Sequence, residues 1–181
     1  MARVVRPPSV VLAGRAYVLH VDDVDGGDDG APAPNAGLTR VSLSDVRVAV
    51  ATNPGVEAGL VTLREDEAPH RIVAIVIAQP EARAIQSAWS GVVQRRPSTW
   101  DLFVSALGVL DARLERVVIT SVEEGRHFYA KVEFESRGER RVLSARPSDA
   151  IALALRAYGC EIFIADQVFA DLGLEARPMD N

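Results

Sequence analysis

Five charged side chains in this sequence stand at the starts of expected helices: Glu81, Arg96, Asp101, Arg146 and Asp149. Arg146-Pro147-Ser148-Asp149 opens the apolar run Ala150 to Leu155. Ser148 is the expected N-cap, its hydroxyl accepting from a free backbone N–H one turn on. Asp149 then falls in the first turn, where the helix dipole favours negative charge. Arg96-Pro97-Ser98-Thr99-Trp100-Asp101 repeats the opening at an offset of 146 − 96 = 50 residues. Ser98 and Asp101 are spaced as a near capping box. Glu81 follows Pro80 at a third helix start, where proline is tolerated. Such carboxylates can complement a dipole or pair with a neighbouring arginine, and the same helix ends attract phosphate. The repeated opening reads either as an internal duplication or as two unrelated caps of the same local chemistry. A duplication would bring Arg96/Asp101 and Arg146/Asp149 together across a pseudo-twofold axis at one end of a sheet.

The elements that must position these residues follow from periodicity. Ala150 to Leu155 has no polar face, so this helix is expected to be buried on most sides and to end by Gly159. Alternation predicts strands at Val46–Val50 and Gly59–Leu63, and the β-branched run Arg71–Ile77 predicts a central strand. A helix opening at Pro80 lines one face with Ala82, Ile85 and Trp89. Leu102, Phe103, Ala106, Leu107 and Leu110 form the stripe of a second helix. Strands are predicted at Leu114–Val122, His127–Phe134 and Arg140–Ala145, the last two joined by a hairpin at Arg137-Gly138-Glu139. Glu161–Ile164 is a last strand and Asp166–Leu172 a short helix. The fold class is α+β, a single sheet-rich domain over residues 41–175, with an arm and acidic linker at 1–40 and a tail at 176–181. Asp22 to Gly37 carries five aspartates and lacks the twelve-residue ligand spacing of a calcium loop.

Composition narrows the function. The chain has 181 residues, 48% of them hydrophobic and 25% charged, which supplies a sizeable core. Its single cysteine, Cys160, permits neither an internal disulfide nor a cysteine zinc cluster. No apolar run reaches the length of a membrane span and no leader pattern is seen, so a cytoplasmic protein without membrane contact is expected. The net charge of −5 argues against a long basic groove for nucleic acid. Of the basic residues only Lys131 is a lysine, and arginine forks suit carboxylate and phosphate. The histidines His20, His70 and His127 sit apart, and no nucleophile triad, phosphate loop or dinucleotide fingerprint is present.

Glu81-Ala82, Arg96-Pro97-Ser98-Thr99-Trp100-Asp101-Leu102, Phe128-Tyr129-Ala130 and Arg146-Pro147-Ser148-Asp149-Ala150-Ile151-Ala152-Leu153 together resemble the bifunctional nuclease domain family over roughly Val46 to Leu174. The resemblance implies an α+β domain, often a homo-oligomer, that cleaves DNA or RNA. It implies a catalytic set of Glu81, Asp101 and Asp149 with Arg96 and Arg146, the three acids holding Mg²⁺ or Mn²⁺ for phosphodiester hydrolysis. Two positions depart from the family pattern: Trp100 stands where a histidine is usual, and Ser144 where an aspartate is usual. Both lost groups serve proton transfer or metal binding, so the alternative expectation is a non-catalytic, oligomeric binding or regulatory module that keeps the fold.

Overall fold

The computed structural model describes residues 9–12, 15–18, 35–53, 56–92, 94–123 and 127–174. The expected acidic linker falls largely on residues 19–34 and the expected tail on 175–181, both outside the described residues. In chain order the strands are β1 (Ser9–Leu12), β2 (Arg15–Val18), β3 (Leu38–Asn53), β4 (Val56–Glu65), β5 (Ile72–Ala78), β6 (Ala112–Glu123), β7 (His127–Ser136), β8 (Glu139–Ala145) and β9 (Glu161–Ala165). The helices are α1 (Gln79–Trp89), α2 (Thr99–Val109), α3 (Pro147–Ala154) and α4 (Asp166–Asp171). Among the described residues β1 and β2 pair only with each other. β3 begins at Leu38, so the main sheet takes in the last residues of the expected 1–40 arm.

The seven remaining strands form one curled sheet in the order β5-β4-β3-β9-β6-β7-β8. Every pair is antiparallel except β6 with β9. The order reads outward from β9 as two like units. Each is a meander of three antiparallel strands, β3-β4-β5 and β6-β7-β8, followed at once by a helix with proline in its first turn. The helix after the first meander opens at Gln79-Pro80-Glu81, so the expected pairing of the Arg96 and Arg146 openings is not seen in this order.

α3 is the hub. It packs on α1, α2, β6, β7 and β9, and Ala150 to Ala154 are all buried. These residues are enclosed by two helices and three strands. α2 departs from its expected orientation. It buries only Leu107, flanked by the partly buried Trp100 and Val104, whereas Leu102, Phe103 and Leu110 face solvent. Spacings of four and three put Trp100, Val104 and Leu107 on one side of the helix, and this narrower stripe meets α3 and β6. Trp89 of α1 is likewise half exposed.

Local chemistry closes the turns. The β7–β8 hairpin has two central residues, Arg137 and Gly138, both at positive φ (55° and 79°), the backbone that a two-residue turn between twisted strands needs. Buried charge is paired. Glu133 on β7 is 1% exposed and accepts from Arg116 Nε at 2.6 Å, with Lys131 Nζ at 3.0 Å. Burial pushes its carboxyl up, and Arg116 and Lys131 outweigh burial and hold it below the ordinary value. Glu65 at the end of β4 is held by Arg71, whose guanidinium lies 4.0 Å over the Phe169 ring. Burial raises the Cys160 thiol to about 12, so this cysteine is an inert packing residue.

α1 approaches the sheet closely at one point. A Cβ on Gly59 of β4 would lie 2.3 Å from the Ala82 Cβ, closer than two carbons pack. Gly59→Ala is expected to push α1 off the sheet and lower stability by about 2 kcal/mol. Adding Ala82→Gly should return part of the loss, less the helix penalty of glycine. Urea unfolding of the two variants reads both effects; equal stability of Gly59→Ala and wild type contradicts the close contact.

Candidate functional site

The N-termini of α1 and α3 lie side by side, and one guanidinium joins them. Arg146 Nε donates to Asp149 Oδ2 at 2.8 Å, and Nη2 donates to Oδ1 at 3.2 Å. Its third nitrogen, Nη1, donates to Glu81 Oε1 at 3.2 Å. The Arg146 side chain is 66% exposed, against 15% for Glu81 and 30% for Asp149. Asp149 and then Glu81 hold Arg146 above its ordinary pKa, so it is cationic throughout. Glu81 Oε2 is buried and has no hydrogen-bond partner. Both acids lie in first turns, where each complements a dipole.

The start of α3 differs from the sequence expectation. Ser148 is not the N-cap. Arg146 occupies that position with extended backbone (φ −70°, ψ 145°), Pro147 begins the helix, and no side chain caps it. The residue before a proline is driven to extended backbone, while the ring pre-sets helical φ, so the helix starts at the proline. Ser148 is thus a buried residue inside the first turn. In the Arg96 segment the helix starts two residues after Pro97, and Ser98 is a true cap. Its Oγ accepts from Asp101 N at 3.3 Å, and Asp101 Oδ2 accepts from Ser98 N at 2.7 Å. The same tripeptide enters two helices in different phase, so the two openings are not structurally equivalent.

Trp100 connects the two acid groups. Its Nε1 donates to Asp149 Oδ1 at 3.2 Å, and its ring lies 5.6 Å from the Arg156 guanidinium. Arg156 Nε donates to Asp101 Oδ1 at 2.9 Å, and its other nitrogens reach the carbonyls of Ala152 and Ala84. Ser98, then Arg156, holds the Asp101 carboxyl below the usual range. A continuous line of polar contacts therefore runs Glu81–Arg146–Asp149–Trp100–Arg156–Asp101. Four of the five candidate residues lie on it. Glu81, Arg146 and Asp149 meet directly, while Asp101 faces away from them, across the indole. Arg96 is exposed and makes no ion pair among the described residues. Ser144 is exposed on β8, outside this line.

Arg156 carries much of this geometry and is not among the candidate residues read from the sequence. The signal that could have found it is its place at the end of the apolar run that Arg146 opens, two residues past the last residue of α3. Beside Arg146 opens a cavity of about 350 Å³, walled by Ile75, Val76 and Ile77 of β5, by His127, Phe128 and Tyr129 of β7, and by Glu81 and Pro147. β5 ends the strand order and β7 lies next to its other end, so curling of the sheet brings them to one seam. Strand alternation could have singled out Tyr129, an aromatic on a solvent-facing position. A larger cavity of about 520 Å³ lies elsewhere, where Arg40 pairs with Asp66 and Glu161 and Arg71 pairs with Glu65.

The caps provide a direct check. Ser98→Ala should lower stability by about 1 kcal/mol through loss of a cap. Ser148→Ala should leave the cap chemistry of α3 untouched, and any loss there reflects packing alone. Asp149→Ala removes a partly exposed ion pair and should lower stability by about 1 kcal/mol. Chemical denaturation of the three variants tests this order; a larger loss for Ser148→Ala than for Ser98→Ala refutes it.

The family model described as the bifunctional nuclease domain matches residues 61–177. Two relatives are the uncharacterized proteins Rv1829 and MT1877 of Mycobacterium tuberculosis, from strains H37Rv and CDC 1551. Each is 39% identical over 104 residues, which is 58% of this chain and 60% of the relative. The chain thus spans about 60% of the length of the curated relatives it matches. Among the described residues no helix is long and apolar enough to cross a membrane. The matched segment starts within β4 and takes in every residue of the polar line from Glu81 to Arg156, and on that match the chain belongs to the bifunctional nuclease domain family.

Proposed function

We propose that this protein hydrolyses phosphodiester bonds of nucleic acid at the joined N-termini of α1 and α3. The supporting observation is the gathering of Glu81 and Asp149 on one exposed guanidinium beside a cavity, with a buried carboxylate oxygen left without a donor. Among the described residues no group of three or more His, Cys, Asp or Glu is arranged to hold a metal ion. Mg²⁺ does not require such a cage. It keeps most of its waters and binds through one or two carboxylates plus substrate phosphate. Glu81 and Asp149 are hard oxygen donors of that kind and would hold it; Asp101, committed to Ser98 and Arg156, would not. When bound, the cation supplies Lewis-acid polarisation of a phosphoryl oxygen and an acidified water.

The chain's own groups do the rest. Arg146 is exposed enough to turn its fork onto a phosphoryl oxygen, and the two helix ends add partial positive charge there. Trp100 holds Asp149 in place through its indole N–H. Because Trp100 stands where the family usually has histidine, the leaving oxygen has no positioned acid on α2. Loss of such a group typically reduces turnover about 10²- to 10⁴-fold, so the reaction is slow.

The test is incubation of purified protein with DNA and RNA in Mg²⁺, Mn²⁺ or EDTA. Slow cleavage with cation, none with EDTA, and a drop of about 100-fold in Glu81→Gln and Arg146→Ala are expected. Cleavage indifferent to EDTA or to both variants overturns the reading. No cleavage under any condition leaves the second reading, a non-catalytic binding module, which is supported by the pairing of Asp149 and Asp101 with arginines. We also propose self-association through α2, whose exposed Leu102, Phe103, Val109 and Leu110 form an uncharged stripe. Leu102→Glu should then lower the sedimentation coefficient; a wild type that sediments as a monomer contradicts this.

A further inference from the structure

The seam cavity constrains what kind of nucleic acid the site can take. Its walls are mostly apolar and aromatic, with Arg146, Glu81, His127 and Ser148 as the polar lining residues. At about 350 Å³ it stands at the small end of ligand pockets, room for about one base and its sugar. Tyr129 lines it with 45% of its surface open to solvent. The ring is not loose: its hydroxyl donates to Glu123 Oε2 at 2.9 Å, which fixes an aromatic face at the cavity wall. Val76, across the seam on β5, is also exposed, at 62%. An exposed valine and an exposed tyrosine facing one small cavity form a slot for a flat, largely apolar group.

Duplex nucleic acid does not suit this slot. Its bases are stacked and paired, and its affinity comes chiefly from many phosphate contacts along a basic surface. The chain has a net charge of −5, and only one arginine lines this cavity. A base already out of the stack fits it. Its face can lie on an aromatic ring, and its phosphate can lie beside the rim guanidinium.

We propose that the cavity between β5 and β7 is a nucleobase slot in which Tyr129 stacks an unpaired base, making single-stranded nucleic acid the substrate class of the Arg146 site. This rests on the hydrolase reading above for the choice of nucleic acid, and the measurement separates the two. A fluorescein-labelled single-stranded 12-mer, and the same sequence annealed as a duplex, are titrated with the full chain in EDTA, and fluorescence anisotropy gives each Kd without cleavage. The single strand should bind at least ten-fold tighter than the duplex. Tyr129→Ala should weaken single-strand binding by roughly ten-fold, the size of one lost base–aromatic stack. Tyr129→Phe keeps the ring and loses only the bond to Glu123, and should retain the affinity. Val76→Asp, an exposed change that puts a carboxylate in the slot, should weaken binding as well. Equal or tighter duplex binding, or equal losses in Tyr129→Ala and Tyr129→Phe, overturns the inference. Cleavage without strand selectivity rejects the slot and leaves the hydrolase reading intact. Selective binding without cleavage does the reverse.

Discussion

The arrangement depends on one guanidinium. Arg146 is the residue before a proline, so its backbone is extended and its side chain leaves the chain just ahead of α3. From there it bonds Asp149 of its own helix and Glu81 of α1. Two acids at adjacent helix starts would repel each other without a cation between them. Arg146 supplies it and ties the two helix ends together. Because this cation is exposed, its bonds can be exchanged for bonds to an anion. The Arg116–Glu133 and Arg71–Glu65 pairs of the sheet differ in that respect. Glu133 and Glu65 are nearly inaccessible, and removing a partner there would strand a buried charge.

Topology explains why these ends meet. Two meanders flank β9, and each delivers its chain into a helix opened by proline. β9 runs antiparallel to β3 and parallel to β6, so the two units face opposite ways in the sheet. Curling then brings β5 of one unit beside β7 of the other and places the first turns of α1 and α3 at the seam. The close contact of Gly59 with Ala82 sets how near α1 lies to the sheet, and hence where Glu81 stands. Packing of small residues thereby sets the position of a carboxylate.

Trp100 joins the two acid groups without being able to titrate. The indole keeps one hydrogen-bond donor, spent on Asp149, and its face carries the Arg156 cation. A histidine there could titrate and pass a proton; the indole cannot. The indole keeps the line of contacts and has no proton to pass along it. Asp101, capped to Ser98 and paired with Arg156, lies at the far end of that line.

Much of the fold was legible in the sequence because periodicity and turn chemistry are local. Alternation marked β4 to β9, Arg137-Gly138 marked the hairpin, and the unbroken apolar run from Ala150 marked the buried helix. Glu81, Arg146 and Asp149 were legible only among five candidates, because all five charges sit at expected helix starts. Which charges meet was not local. The shared Arg-Pro-Ser spelling suggested that the Arg96 and Arg146 segments are partners, but helix phase differs between them and the topology pairs Arg146 with the Pro80 opening instead. The outward face of α2 was misread for a related reason. That helix carries apolar residues on two sides, and only the position of α3 and β6 decides which side is covered. The seam cavity had no local sign, since it exists only where a curled sheet brings strands distant in pairing order within reach. Sequence by itself determined the elements and the charges at their ends, because those follow from residues within a turn of one another; tertiary structure alone decided which ends converge, because that depends on how the sheet closes.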